Sequence, residues 1–501
     1  MRASTRLWAS LACAVGLLGT GSGGRFTTRD DIRTKLAPEL SAQADIYYPD
    51  SDVFEDATVR WSYYHPPNFT VVVEVAEEED VAKTIRYANA EGLPFLAVNG
   101  GHGAISSLAN LDHGIEIWLH KLDSIEIAED GKTATFGGGT KAVTLIGALF
   151  QQGKQTVHGV CECVSYLGPA LGGGHGALQG KYGMASDQFV SLNIATADGE
   201  IITVSEESDD QDLWWAVRGA GHNFGIVTSA TSKVYDIPNG GLWAFEQLAF
   251  TGDQVEELFE HFNDLADIQP PGFFVWTYLV RNPDMDPENP VYIANFLNEG
   301  VEEIEPELIQ PFRDLALTPA AVKTHGLYTD IPKWIDTDVN SRGCAKQENK
   351  VRFPIGFKRY DIPAQREFFD AFVEGTADGS QFNTSMVLIE QYSAQGVEAI
   401  PEDSTAFPNR EDFFLFAPVI AYNSDTEEVE NEAVEFGDRL RDIVLKGTGS
   451  DNLHSYVNYA SGGEGARAWY GWEPWRLEKL QQVKRKYDPE GKFSYYAPIP
   501  I

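Results

Sequence analysis

Residues 70–103 read TVVVEVAEEEDVAKTIRYANAEGLPFLAVNGGHG, and this stretch decides the fold. Residues 70–76 are rich in β-branched side chains and suit a strand. Residues 78–91 follow as a helix, with Val81, Ile85 and Ala88 on one face and Gly92 at the C-terminal cap position. A second strand, 94–98, then runs into Asn99-Gly100-Gly101-His102-Gly103. The spacing predicts a β-α-β unit with a glycine-rich turn after its second strand.

Beyond that turn, residues 114–120 alternate as a half-buried strand, and residues 133–136 form another before Gly137-Gly138-Gly139. A helix over about 141–152 closes at Gly153. Residues 159–183 hold eight glycines without a regular period. Residues 187–204 read as two strands joined by a two-residue hairpin at Asp198-Gly199. Residues 210–218 look helical, and Gly219 to Thr228 leads into a strand ending near Tyr235. From about residue 240 the texture changes. Long alternating strands at 273–280, 385–392 and 413–421 are separated by amphipathic helices near 254–266, 364–374 and 427–444. That pattern predicts an antiparallel sheet backed by helices, and so an α+β protein.

Composition narrows the function. The chain has 501 residues, with 75 Asp+Glu against 38 Lys+Arg, a formal charge of −37. Such a surface repels phosphate backbones and anionic lipid, so no nucleic-acid and no membrane partner is expected. At the start, Arg2 and Arg6 precede an apolar run from Leu7 to Leu18, and small residues follow to Gly24. This is the layout of a secretory signal peptide over 1–24, with an apolar run shorter than the roughly 20 residues a membrane span needs. A secreted chain makes Asn68 and Asn383, each in an Asn-x-Ser/Thr sequon, glycosylation candidates. Removing Cys13 with the signal leaves Cys161, Cys163 and Cys344, an odd count that implies a thiol with another use. A monomer is the default expectation.

Single glycines are explained by turns, but runs of three are explained poorly. Bare glycine lets backbone N–H groups approach a phosphate-bearing ligand, so several such loops point to a nucleotide cofactor. A Walker loop is excluded because Gly180-Lys181 is followed by Tyr182. Gly172-Gly173-Gly174-His175-Gly176-Ala177 has loose Rossmann spacing but follows a segment broken by Pro169 and precedes no clear helix. No zinc-type spacing of His and Cys is present, and no metal is expected.

Five motifs in order carry a resemblance. They are Gly100-Gly101-His102; Cys161 eleven residues before Gly172-Gly173-Gly174; Arg218-Gly219-Ala220-Gly221 through Gly225-Ile226-Val227-Thr228; Tyr456-Val457-Asn458-Tyr459; and Tyr487-Asp488-Pro489. With them the chain resembles the FAD-linked oxidases of the vanillyl-alcohol oxidase type, in the berberine-bridge-enzyme-like branch and its fungal members. The resemblance implies a PCMH-type FAD-binding domain over 40–238 (core 66–238), a substrate domain over 239–454, and a C-terminal segment, 455–501, that completes the FAD site.

It also implies roles. His102 would bond covalently to the flavin 8α carbon. Cys161, by its spacing to the glycine run, would attack flavin C6 as a thiolate. The family usually continues Pro-Thr-Val after that cysteine, whereas here Glu162-Cys163-Val164 follows and places a second thiol nearby. On an extended segment residues two apart share a face, so it is the spacing to the glycine run that favours Cys161 as the thiol that reaches the ring; a flavin held by His102 alone stays open. Whether Cys163 pairs with Cys344 depends on a distance the sequence does not give. Gly100, Gly101 and Gly103, with Gly172, Gly173, Gly174, Gly219, Gly221, Gly225, Ile226 and Val227, would wrap the FAD, and Asn458 would hydrogen-bond the flavin.

The proton acceptor is the weakest match. Plant members carry a glutamate after a Phe-Pro-His-Arg-like motif; here the motif is Phe407-Pro408-Asn409-Arg410 and the corresponding position is Phe416. Tyr456 is the matching candidate for a tyrosine base. Glu390 is either its acid/base partner or a solvent-facing strand carboxylate, and Tyr392 shares its face. The expected function is a secreted FAD oxidase that passes electrons from a small natural-product intermediate to O₂. A carbohydrate oxidase, with Trp276 and Tyr278 as stacking residues, is the alternative. A non-catalytic flavin-binding protein is the third reading.

Overall fold

The strand Phe69–Glu74, the helix Glu78–Glu91 and the strand Phe95–Val98 form in the predicted order, but the two strands do not pair with each other. Gly114–Trp118 lies between them and pairs in parallel with both. The computed structural model that shows this describes residues 29–317, 322–424 and 426–501. The expected signal segment, 1–24, lies outside the described residues, as does Cys13. The crossover helix buries Val81, Ile85 and Ala88 and ends at Gly92, whose φ of +68° suits a glycine cap. Asp45–Tyr47 completes this four-stranded sheet as an antiparallel edge.

A second, five-stranded sheet runs Ile125–Ile127, Thr133–Gly137, Ile226–Lys233, Phe189–Ala195, Ile201–Ser205, antiparallel throughout. Its last hairpin differs from the two-residue expectation. The Thr196 N–H donates to the Glu200 carbonyl at 2.8 Å, so Ala197, Asp198 and Gly199 all lie in the turn. Gly199 takes a φ of +73°, which fits a three-residue hairpin loop closed by a left-handed residue.

The third sheet is the largest. It runs Val322–Leu327, Leu242–Phe250, Pro290–Glu299, Phe273–Arg281, Met386–Tyr392, Phe414–Tyr422 and Asn349–Arg352, with Ile355–Phe357 also on Phe414–Tyr422. Every pairing is antiparallel. Strand alternation divides its side chains. Phe273, Val275, Leu279, Val387 and Ile389 pack under the helices Val255–Ile268, Ile362–Gly375 and Glu427–Gly447. Phe274, Trp276, Leu388 and Tyr392 face the other way and join the core of the first half. Glu390 alternates onto that second face, and Phe416 onto the first, against Phe368. Phe416 therefore belongs to the helix-packed core and does not occupy a catalytic position.

The segment from Tyr456 onward returns to the first half. Its anchor is a fully buried ion pair, Lys484 with Asp488 at 2.6 Å. Lys484 also donates to the Asn223 carbonyl at 2.9 Å, and Asp488 accepts the N–H groups of Lys492 and Phe493 at 2.7 and 2.8 Å. A buried pair so completely hydrogen-bonded is tolerated where a lone charge would not be. Cys163 and Cys344 form a disulfide across 181 residues. Closing a loop that long removes unfolded-chain entropy equivalent to about 5 kcal/mol in the chain-entropy account. Cys344→Ser should therefore lower the urea midpoint clearly, and an unchanged midpoint would show that the bridge adds nothing. Among the described residues no helix is long and apolar enough to cross a membrane.

Candidate active site

A cavity of about 290 Å³ lies where the glycine-rich half, the large sheet and the C-terminal segment meet. Its floor is the turn after Phe95–Val98. Gly100, Gly101, His102 and Gly103 all line it. There is no room for side chains here: a Cβ on Gly103 would sit 2.8 Å from the ring of Tyr496. Trp61 braces the turn, its backbone N–H donating to the Gly101 carbonyl at 3.0 Å and its ring lying 6.1 Å from the His102 ring at an interplanar angle of 27°. His102 Nε2 is buried without a partner. Burial, with Arg352, Lys346, Lys350 and Arg60 nearby, holds its imidazole well below the usual range. The ring is neutral at physiological pH and its nitrogen lone pair is available.

Cys161 lines the same cavity and is free, while Cys163 is engaged by Cys344. The segment between them is a turn, with the Val164 N–H on the Cys161 carbonyl at 3.2 Å, and not the expected extended stretch. Burial and the nearby Glu390 push the Cys161 thiol up to about 12, with Arg352 pulling the other way. The resting form is therefore a thiol and not a thiolate.

Gly225, Ile226, Val227 and Asn458 are also in the wall. Asn458 donates from Nδ2 to the Pro169 carbonyl at 2.8 Å and to the Tyr456 hydroxyl at 2.7 Å, so that nitrogen is committed within the protein. Gly172, Gly173, Gly174, Gly219 and Gly221 do not line the cavity, contrary to expectation. Their lack of a side chain serves close packing instead. A Cβ on Gly173 would meet the Phe407 ring at 2.3 Å, and one on Gly219 would meet the Phe407 nitrogen at 2.2 Å. Both also have φ above +100°. Gly219→Ala should cost roughly 2–4 kcal/mol through the forced backbone shift. A urea midpoint equal to wild type would contradict that packing account.

The large sheet supplies the opposite wall. Glu390 is buried, 2% exposed, yet lines the cavity. It is not the solvent-facing carboxylate that the sequence left open. Its two oxygens accept hydrogen bonds from Tyr459 at 2.7 Å and Tyr392 at 2.8 Å. Burial pushes its carboxyl up to about 7, opposed by those two hydroxyls and by Arg352. Tyr456, also in the wall, is bonded differently. Its hydroxyl accepts from the His175 N–H at 3.2 Å and from Asn458, and burial raises it to about 12. Tyr456 and Glu390 thus share the cavity but not a hydrogen bond. Trp276 lines the cavity; Tyr278 does not, its hydroxyl donating to the Ile335 carbonyl at 2.7 Å. Asn68 and Asn383 are exposed on the surface.

Sequence reasoning missed Tyr459, Arg352 and Arg60. Tyr459 stood in the Tyr-x-Asn-Tyr motif and had a signal; the two arginines had none, since chain-distant segments bring them here. The cavity wall carries Arg60, Arg352 and Lys492 against one carboxylate, Glu390, in a chain of charge −37. Bare glycine backbone, an unpartnered imidazole nitrogen and the cations Arg60 and Lys492 fit a flavin dinucleotide, with its anionic pyrophosphate and planar ring. Among the described residues no group of three or more His, Cys, Asp or Glu could hold a metal.

Comparison with known proteins agrees with this geometry. Residues 69–205 match the FAD binding domain model, and residues 455–500 match the model described as berberine and berberine like. The chain is 45% identical to the FAD-linked oxidoreductase chyH of Penicillium rubens, covering 98% of each chain. Among solved structures it is similar to the BBE-like 1 protein of Physcomitrella patens (TM-score 0.79, 20% identity, 91% of this chain and 97% of that one). The glucooligosaccharide oxidase of Acremonium strictum, described with a 6-S-cysteinyl, 8α-N1-histidyl FAD, is similar in fold (TM-score 0.76, 20% identity, 91% and 97%).

Proposed function

The chain belongs to the berberine-like family of FAD-linked oxidoreductases, and on that premise we propose that it is a secreted oxidase of a small natural-product intermediate. When bound, FAD would supply the hydride acceptor, with O₂ as the proposed final acceptor and H₂O₂ as the product. The protein's part is to hold the substrate and to take the proton from an O–H, N–H or activated carbon beside the oxidised C–H bond.

The observation that carries this reading is Glu390, a buried carboxyl that lines the cavity and accepts from Tyr459 and Tyr392; burial pushes it up to about 7. A base is most useful when its pKa lies near the working pH. Tyr459 and Tyr392 hold it in one orientation and stabilise its ionised form. Tyr456, raised to about 12, keeps its proton at neutral pH and fits a positioning role. The base thus moves from Tyr456 to Glu390. The sign of the pH dependence follows. Below about pH 7 Glu390 is protonated and cannot accept a proton, so flavin reduction at saturating substrate should rise with pH through about 7. A flat profile between pH 5 and 8 would remove Glu390 as the base.

His102 and Cys161 in one cavity support attachment of the flavin through both residues, as in the glucooligosaccharide oxidase. The disulfide and two exposed sequons support secretion with glycosylation at Asn68 and Asn383. The test is acid precipitation of the secreted protein, followed by absorbance, peptide masses and H₂O₂ release with a substrate panel. A yellow pellet with flavin on the His102 and Cys161 peptides, and one H₂O₂ per substrate oxidised, is expected. Flavin left in the supernatant would overturn covalent attachment. Reduced flavin that O₂ does not reoxidise would overturn the oxidase and leave a dehydrogenase.

A further inference from the structure

Arg352 ends the edge strand Asn349–Arg352, where it pairs with Val419. It is half-buried and lines the cavity. Its guanidinium carbon lies 4.0 Å over the ring of Trp61 and 4.6 Å over the ring of Tyr459. Both rings are themselves fixed. Trp61 Nε1 donates to the Gly343 carbonyl at 3.0 Å, and the Tyr459 hydroxyl donates to Glu390 at 2.7 Å. The guanidinium is thus positioned before any ligand arrives.

What it lacks is an acceptor. Arg60 donates one N–H to the Gly103 carbonyl at 3.2 Å, in the glycine turn, while its Nε and Nη1 stay buried and unpartnered beside that turn, and Lys492 has Glu490 at 3.2 Å. Lys350, beside Arg352 on the Trp61 ring, has Glu348 at 3.0 Å. Among the described residues the Arg352 guanidinium has no hydrogen-bond partner and no ion pair. Glu390 is close enough to feel its charge, but it is bonded to Tyr392 and Tyr459 and makes no hydrogen bond or ion pair with the guanidinium. A planar fork of N–H donors that lines the cavity with no anion in bonding distance is poised for a carboxylate, which it can receive through two parallel hydrogen bonds.

From this juxtaposition we propose that Arg352 is the substrate anchor and that the substrate is a small carboxylic acid bound as its carboxylate. Tyr459 links anchor to base: its ring face carries Arg352 and its hydroxyl carries Glu390. A carboxylate on Arg352 therefore lies one tyrosine away from the group that takes the proton. A neutral sugar leaves the guanidinium unmatched, and a cationic amine is repelled by it. The inference rests on the oxidase reading of this same site.

Calorimetry on the purified holoprotein tests it with two matched pairs, benzoate against benzamide and indole-3-acetate against indole-3-acetamide. In wild type at least one acid should bind about 10- to 100-fold more tightly than its amide, the range of a charge-assisted hydrogen bond over a neutral one. In Arg352→Gln that ratio should fall to near one with the amide affinity little changed. Arg352→Lys should keep part of the preference, since charge remains while the fork is lost. Flavin content and urea midpoint check that both variants are folded. If Arg352→Gln does not fold, the wild-type ratio and Arg352→Lys decide. Absence of binding by both acids, equal binding of acid and amide, or a preference that survives in Arg352→Gln would each overturn the proposal. Calorimetry does not require turnover, so this outcome stays separate from that of the oxidase reading. An enzyme that releases H₂O₂ but ignores the carboxylate loses only the anchor.

Discussion

Glu390→Gln is expected to slow flavin reduction at saturating substrate by roughly 10²- to 10⁴-fold, the range that a positioned general base contributes. The change preserves shape. Gln keeps a side-chain oxygen that can accept from Tyr459 or Tyr392, so the wall of the cavity should stand. What it removes is the ability to take a proton. Substrate affinity should change by much less than the rate, because an interaction made mainly in the transition state lowers kcat without a matching change in binding. The pH limb near 7 should vanish with it. Anaerobic stopped-flow absorbance at the flavin band measures both. A reduction rate within about threefold of wild type would return the base to Tyr456 or leave the step without a protein base. Tyr459→Phe is the informative companion. It removes one of the two hydroxyls that stabilise the ionised carboxyl, so it should move the pH limb upward and not abolish the rate.

His102→Ala should shift flavin mass off the peptide that contains residue 102, leaving attachment through Cys161 alone. His102→Ala combined with Cys161→Ser should leave all flavin extractable by acid. The structural basis is the state of the two groups. His102 is held neutral, with a buried nitrogen that no protein group uses, so it is already nucleophilic. Cys161 rests as a thiol and must lose a proton before it can react. Histidyl attachment should therefore survive Cys161→Ser, and peptide mass spectrometry reads it directly. Covalent flavin persisting in the double variant would show that another residue carries it. Loss of all attachment in Cys161→Ser would show that the cysteine bond must come first.

Much of this architecture was legible in local pattern. The helix 78–91 formed because three apolar residues fall on one face and a glycine caps its end, and both signals act within a few residues. The strands of the large sheet formed where residues alternate, and alternation also set which side chains face the cavity. The Gly-Gly-His turn was visible for the same reason: strand, bare backbone and ring follow one another along the chain. Local pattern failed where one residue decides between alternatives. The Asp198-Gly199 hairpin has a longer loop than the dipeptide suggests. Five glycines that looked like cofactor loops give room to neighbours such as Phe407.

The sequence by itself determined the α+β class, the family, and the presence of a histidine, a cysteine, a glutamate and a tyrosine fit for flavin chemistry. Only the tertiary structure decided what each of them does. Glu390 meets Tyr459 across 69 residues, and Cys163 meets Cys344 across 181. Arg352 reaches Trp61 from a segment distant in sequence. A side chain's ionisation and orientation depend on its burial and on the charges and donors around it, and those neighbours come from segments that only the closed fold brings together.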